Sequence, residues 1–384
     1  MERKIFDPDH DLFRKAMRLF VAREMVPHFA QWERSGVVDR SLFLRAGEAG
    51  ILGLAVPAEL GGAGEPDFRF NAIFAEEACR AGVMTAALGI ATHADVVVPY
   101  FVQYGTPAQQ ARWLPGLCSG ELVAAVAMTE PGTGSDLAAI TTRAVRRGDE
   151  YVLNGSKVFI SNAMNADLVL VVCRTSDGSG PQRSLSLLVV EAASPGFQRG
   201  RNLDKLGQHS ADTGELFFDD VVVPADHLLG EENRGFYHLM AMLPQERLSI
   251  AVTALAHAEV AFEQTLEYCK ERHAFSQPIG SFQNSRFMLA TMRTELDVTR
   301  AFVDAQLLAH AAGELTAEEA AEGKWWCAEL NSRVLSACLQ LHGGYGYMEE
   351  CAVGRAWRDG RAMSIYGGTN EIMKDIIGRR MLGV

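Results

Sequence analysis

The spacing of apolar residues changes twice along this chain, which excludes a single helical bundle and a single sheet alike. Up to about residue 120 the apolar side chains recur at the interval of one helix face: Phe13, Met17, Leu19 and Phe20, then Phe43, Leu44 and Ile51. A glycine-rich loop over 61–66 breaks the pattern, and 71–79 resumes it. From about 121 the pattern shortens to runs rich in branched residues, 123–128, 152–160, 168–173, 185–190 and 216–223, separated by turn residues. Asn154-Gly155 within this stretch predicts a tight hairpin turn, because both central positions of such a turn need positive φ. Helical spacing returns near Glu231 and holds to the end, at 257–273, 287–308, 318–341 and 370–382. Pro244 is expected to interrupt the first of these helices or to begin a new one. Three units follow: α-helical at 1–120, a sheet or barrel at 121–228, and α-helical again at 229–384. The chain is therefore α+β and multidomain, without internal repeats.

Of the 384 residues 48% are hydrophobic and 22% charged, the proportions of an ordinary globular protein. A net charge of −12 argues against nucleic acid or an anionic membrane as partner. A ligand with several phosphates would need local Arg, Lys or helix N-termini. The seven cysteines are odd in number and lack metal-ligand spacing, so reduced, buried thiols and no metal are expected. No run approaches about 18 uninterrupted apolar residues. The first residues have neither a secretory apolar core nor a transit composition. The expectation is a cytoplasmic protein with no transmembrane segment.

Five segments carry candidate chemistry. Met128-Thr129-Glu130-Pro131-Gly132-Thr133-Gly134-Ser135-Asp136 follows a strand, and its two close glycines let backbone N–H groups approach a flat ligand; a tight surface loop would use the same residues. Phe159 and Ser161, on either side of Ile160, share one strand face, where a ring can stack and a hydroxyl can bond its edge. Arg272, leaving a helix, either complements the helix C-terminus or grips a pyrophosphate. Gln340-Leu341-His342-Gly343-Gly344 ends a helix with more glycine than a cap requires. His342 by itself reads as a structural histidine, and Glu130, Asp136, Asp212 and Glu371 as cap, loop or ion-pair residues. The fifth segment, Glu246-Arg247 after Pro244, places a carboxylate beside a permanent cation.

Taken in order, these segments resemble the acyl-CoA dehydrogenase family along essentially the whole chain. The matching motifs are Ala127 to Asp136 (AMTEPGTGSD), Phe159 to Asn162 (FISN), Asp212 to Pro224 (DTGELFFDDVVVP), Arg272 to Phe275 (RHAF) with Gln283, and Gln340 to Gly344 (QLHGG). The resemblance implies an N-terminal helical domain, a middle antiparallel β-barrel and a C-terminal four-helix bundle. It also implies FAD, an acyl-CoA substrate, a homotetramer, and a place in fatty acid β-oxidation with an electron-transfer flavoprotein as acceptor. Carried over by position, Met128, Thr129, Gly134 and Ser135 would meet the flavin or the thioester tail. Phe159, Ile160 and Ser161 would lie against the flavin, and Thr369 and Glu371 would complete its site. Arg272, Phe275 and Gln283 would reach the FAD of a neighbouring subunit, braced by Gln340, Leu341, His342, Gly343 and Gly344. Ser135, Tyr237, Pro244, Arg247, Gly367 and Gly368 are expected to line the substrate site.

The commonest family pattern places the catalytic Glu directly after the tyrosine equivalent to Tyr366; here that position is Gly367. A smaller group, including the long-chain and isovaleryl enzymes, resembles this chain in carrying the Glu on the helix, where Glu246 stands. Pro244-Gln245-Glu246-Arg247-Leu248 is most like the long-chain member. Ser276 also departs from the pattern, where the family has glycine after the phenylalanine. The implied reaction is α,β-dehydrogenation to a trans-2-enoyl thioester, with Glu246 as base and the Gly367 N–H beside the thioester oxygen. Gly367 is expected to leave extra room near the substrate's α and β carbons, favouring long or branched chains. The rival readings are an oxidase on the same scaffold and a non-catalytic partner subunit.

Overall fold

A computed structural model describes residues 3–177 and 181–383. Its first third is helical: α1 Pro8–Phe20, α2 Val26–Ser35, α3 Ser41–Glu48, α4 Arg69–Arg80, α5 Met84–Ala91, α6 Val98–Tyr104 and α7 Pro107–Ser119. Two π-helical segments, Val21–Met25 and Thr92–Val97, join α1 to α2 and α5 to α6. Each ends just ahead of a proline, Pro27 or Pro99. Proline has no N–H to give to the carbonyl four residues back and its ring crowds that carbonyl, so the ladder widens there. The stretch Met84–Tyr104 is long and apolar enough to cross a membrane by length and composition, yet 67% of its most apolar window is buried inside the protein.

The sheet comprises β1 Ala124–Ala127, β2 Arg143–Arg147, β3 Glu150–Ser161, β4 Leu168–Arg174, β5 Leu185–Glu191, β6 Phe197–Asn202, β7 Thr213–Pro224 and β8 Leu228–Leu229. Its order is β6-β7-β3-β2-β4-β5-β8, with β1 beside β4. Most neighbours are antiparallel; β1 runs parallel to β4. β4 and β5 are buried on both faces, as their near-continuous apolar runs require. Leu168, Leu170 and Val172 pack with Tyr100, Phe101, Trp113 and Leu117 of the helices. Val169, Val171 and Cys173 point the other way, to Tyr151, Leu216 and Val223.

Asn154-Gly155 is not the hairpin turn. β2 and β3 join at Gly148-Asp149, pairing Arg147 with Glu150, and β3 runs on through Asn154-Gly155. There the pairing with β7 slips between Leu153 and Gly155. Gly155 lies close against Thr142, so a Cβ would come within 2.5 Å of its hydroxyl oxygen. The glycine marks a bulge and a close approach between chain segments. β6, polar apart from Phe197 at its start, carries no alternating apolar signal and was invisible to periodicity.

The C-terminal unit packs α8 Gly235–Glu271, α9 Gln283–Ala311, α10 Ala317–His342 and α12 Asn370–Leu382 together, with the short α11 Ala352–Gly360 beside them. Leu248, Val252 and Leu255 of α8, Leu296 and Val303 of α9, and Leu330 and Val334 of α10 form its core, joined by Phe68, Ala72 and Cys79 from the N-terminal helices. Pro244 neither stops nor starts a helix: α8 passes through it without a break. Between α8 and α9, β9 His273–Ala274 pairs with β10 Gln277–Pro278. The seven cysteines are free thiols, and all but half-buried Cys351 are buried.

Candidate active site

Glu246 lies on α8 half a turn past Pro244 and is 8% exposed. The buried hydroxyl of Tyr100, on α6, donates to its Oε1 at 2.9 Å. Burial raises the Glu246 carboxyl to about 7, against the opposing pull of the Tyr100 hydrogen bond and the Arg247 charge. Desolvation therefore wins over the neighbouring cation, leaving a carboxyl that exchanges protons near neutral pH. Arg247 is itself 4% exposed, and its Nε has no hydrogen-bond partner among the described residues.

One turn further on, Ile250 reaches the turn that holds Gly367 and Gly368. Both glycines have positive φ, 64° and 88°. A Cβ on Gly367 would lie 2.3 Å from Ile250 Cδ1, and one on Gly368 would lie 2.6 Å from Met373 Cε. The expected room beside Gly367 is absent, because Ile250 fills it. The buried Lys324 of α10 donates to Gly368 O at 2.6 Å. Burial, then the Arg247 charge, lowers this amine to about 8. Thr369 caps α12 by accepting from Ile372 N at 3.3 Å, and Glu371 is exposed in the first turn. No acceptor among the described residues takes the Gly367 N–H.

A second cluster lies along the sheet. Lys157 and Glu130 form a buried ion pair at 2.9 Å, and Lys157 Nζ also donates to Met128 O at 2.8 Å. Burial opposes ionisation of Glu130, but hydrogen bonds from Thr141 and Thr142 and the Lys157 charge outweigh it and hold the acid at about 2. This pair anchors the loop carrying Thr129, Gly134 and Ser135 from beneath. Gly134 and Ser135 are exposed, Met128 and Thr129 half-buried, and the nearest neighbour to a Cβ on Gly134 is 4.0 Å away. Ile160 is buried in the sheet interior while Phe159, at φ 60°, is 66% exposed and Ser161 half-buried. Phe159 falls where the β3–β7 register shifts, so a bulge aims its ring outward.

Arg272, Phe275 and Gln283 are all exposed around the β9–β10 ribbon. Phe275 and Ser276 form its turn with φ of 53° and 64°; Ser276 adopts the left-handed backbone that glycine would take more readily. The Phe275 ring is 91% exposed. Arg272 lies 5.5 Å over the Tyr345 ring. Gln340, Gly343 and Gly344 are exposed and Leu341 half-buried. His342 turns inward, stacks on Tyr268 at 4.1 Å and meets Thr265 Oγ1 at 3.3 Å, which satisfies it as a structural histidine. Tyr237 is exposed beneath Arg234, and Pro244 is half-buried.

Sequence reasoning missed Tyr100, Asp95, Lys157, Ile250 and Lys324. Lys324 was within reach: it falls on the stripe Ala320, Ala321, Lys324, Cys327, Ala328, Asn331, a helix face on which it is the one charge.

Residues 7–121, 125–221 and 233–382 match the models of the N-terminal, middle and C-terminal domains of acyl-CoA dehydrogenase. The chain is 44% identical to the mitochondrial long-chain specific acyl-CoA dehydrogenase of Mus musculus, over 99% of this chain and 88% of that protein. It superposes on the crystal structure of an acyl-CoA dehydrogenase from Geobacillus kaustophilus with a TM-score of 0.96 at 46% identity, covering 99% of this chain and all of that one. A glutaryl-CoA dehydrogenase from Mycobacterium smegmatis, solved in complex with FADH2, gives a TM-score of 0.91 at 26% identity, covering 99% and 96%. With three domain matches in order and a relative this similar end to end, the chain belongs to the acyl-CoA dehydrogenase family of flavin-dependent oxidoreductases.

Proposed function

We propose that this protein oxidises long-chain acyl-CoA thioesters to trans-2-enoyl-CoA with Glu246 as the base, and that its electrons pass to an electron-transfer flavoprotein. The observation that carries the reading is Glu246: a buried carboxyl near neutral pKa, on the helix turn whose Ile250 lies against Gly367. The long-chain preference rests on the 44% identity with the mitochondrial long-chain specific enzyme of Mus musculus.

The residues present fit FAD. Phe159 offers an uncovered ring, the loop from Thr129 to Ser135 offers hydroxyls and open backbone, and Arg272, Phe275 and Gln283 face outward. When bound, FAD supplies the acceptor for the hydride leaving the β-carbon. Glu246 takes the α-proton; Tyr100 already occupies Oε1, which leaves Oε2 to receive it. The Gly367 N–H, which no described acceptor takes, serves in this reading to stabilise negative charge on the thioester oxygen. Lys324 keeps the turn in register by holding Gly368 O. The outward-facing Arg272, Phe275 and Gln283 meet the FAD of a second copy in a homotetramer, with Gln340 to Gly344 on the same cofactor.

A panel of straight and branched acyl-CoAs under an artificial electron acceptor tests the substrate class. Highest kcat/KM on short or branched chains would overturn the long-chain assignment. Hydrogen peroxide formed at the rate of turnover would instead identify an oxidase.

A further inference from the structure

Tyr100 is fully buried, and its hydroxyl has Glu246 as its partner. Burial, then the Glu246 charge, pushes the phenol well above its ordinary range, so the oxygen carries its proton and donates. The ring is tilted against Tyr104 at 6.3 Å, and Tyr104 packs on His238 at 4.1 Å, so the reach of the hydroxyl is fixed by packing.

The backbone that carries Tyr100 also grips the turn that carries Glu246. Pro99 stands four residues after Asp95, so the Asp95 carbonyl lacks its α-helical donor. Gln245, just before the base, fills that vacancy with Nε2 at 2.7 Å. Ser249, one turn after Gln245, donates to Asp95 Oδ2 at 2.6 Å, and Asn71 holds Oδ1 at 2.8 Å. Three hydrogen bonds from one π–α6 element thus reach residues 245, 246 and 249. Oε2 of Glu246 makes no hydrogen bond among the described residues.

We propose that Tyr100 is a positioning residue for Glu246: its hydroxyl fixes Oε1, turns Oε2 toward the substrate's α-carbon and favours the ionised base. This rests on Glu246 being the base. The proton leaves the α-carbon for Oε2 as the hydride leaves the β-carbon for the oxidised flavin, so the substrate loses two electrons and the flavin gains them. The titratable and charged groups about the carboxyl are Tyr100 and Tyr104 on α6, Asp95 in the π segment, Arg247 on α8 and, behind Arg247, Lys324 on α10. Arg247 favours ionisation as Tyr100 does, so removing the hydroxyl takes away one of two opposing pulls against burial.

The test is Tyr100→Phe in the FAD-loaded enzyme, followed by kcat/KM and single-turnover flavin bleaching with a saturated acyl-CoA between about pH 5 and 9. The expected result is an acid limb moved upward by about one pH unit, so that the rate on the acid side falls about tenfold while FAD content and KM hold. A fluorinated tyrosine at position 100, a stronger donor with the same packing, is expected to move the limb downward. An unchanged limb in both variants would overturn the proposal. Glu246→Gln is measured alongside. If it bleaches flavin at the wild-type rate, the base assignment falls and this proposal with it; if it is inactive while both Tyr100 variants keep the wild-type limb, only the role of Tyr100 falls.

Discussion

Ile250 Cδ1 stands where a side chain at Gly367 would begin, 2.3 Å from the position of its Cβ. The helix that supplies the carboxyl therefore also supplies the apolar group that makes glycine necessary in the facing turn. Gly367→Ala combines this collision with a left-handed φ of 64°, which costs an alanine about 1–2 kcal/mol before any clash. Ile250→Ala is expected to relieve part of the loss, so the two substitutions will couple in a double-mutant cycle of unfolding free energies. Strict additivity would show that Ile250 shifts freely and does not constrain the turn.

The same contact governs relocation of the base. Glu246→Gly with Gly367→Glu is expected to recover dehydrogenation only when Ile250 is also trimmed to Ala. Comparable rates in the double and triple variants, measured by single-turnover flavin bleaching, would refute this.

Glu246→Gln is expected to retain FAD and bind acyl-CoA but to reduce flavin at least about 10³-fold more slowly, the scale of a lost proton acceptor. Stopped-flow measurement decides it, and a rate within tenfold of wild type would remove Glu246 from the mechanism.

Stability carries a separate signature of that carboxyl. Its pKa is raised from 4.5 to about 7 in the folded protein. The unfolded chain therefore loses this proton at lower pH than the native one does. The stabilisation associated with the protonated form is present below 4.5 and is lost as pH rises to about 7, with an upper bound of about 3 kcal/mol. Glutamine does not titrate, so the melting temperature of Glu246→Gln relative to wild type is expected to climb between these pH values and level off above them. A constant difference across that range would mean the native pKa is not raised.

Arg272→Ala is expected to weaken FAD retention and lower thermal stability, with excess FAD restoring much of the latter by mass action. Sedimentation at falling concentration reports the accompanying change of assembly. Full flavin content in a monomer at high dilution would contradict the shared cofactor site.

The three-part organisation was legible because it depends on period alone: β4 and β5 announce themselves as unbroken apolar runs, and α1 by the helical spacing of Phe13, Met17 and Phe20. The residues flanking the base were less legible. Tyr100, Ile250 and Lys324 are remote from Glu246 or Gly367 in the chain or look like ordinary core, and their meaning comes from which helices meet. Asn154-Gly155 misled because a positive-φ glycine serves a bulge as well as a turn, and only the register of β3 on β7 separates the two. Pro244 misled for a related reason: packing along α8 holds one helix together across a residue that local propensity would end on.

The π segment Thr92–Val97 bears on how this sequence tolerates insertions and deletions. A wide turn accommodates a residue that a regular ladder would not, and each residue of an α-helix advances the chain by about 100°. Deleting one residue there would give α5 and α6 a more regular backbone and a better local helix. A deletion within the regular helix α5, with no wide turn to absorb it, would instead swing Tyr100 about 100° around the helix axis, away from Glu246, and leave Gln245 facing a carbonyl that had moved. The irregular segment is thus a slack point, where the chain can shorten by a residue and still aim Tyr100 at Glu246.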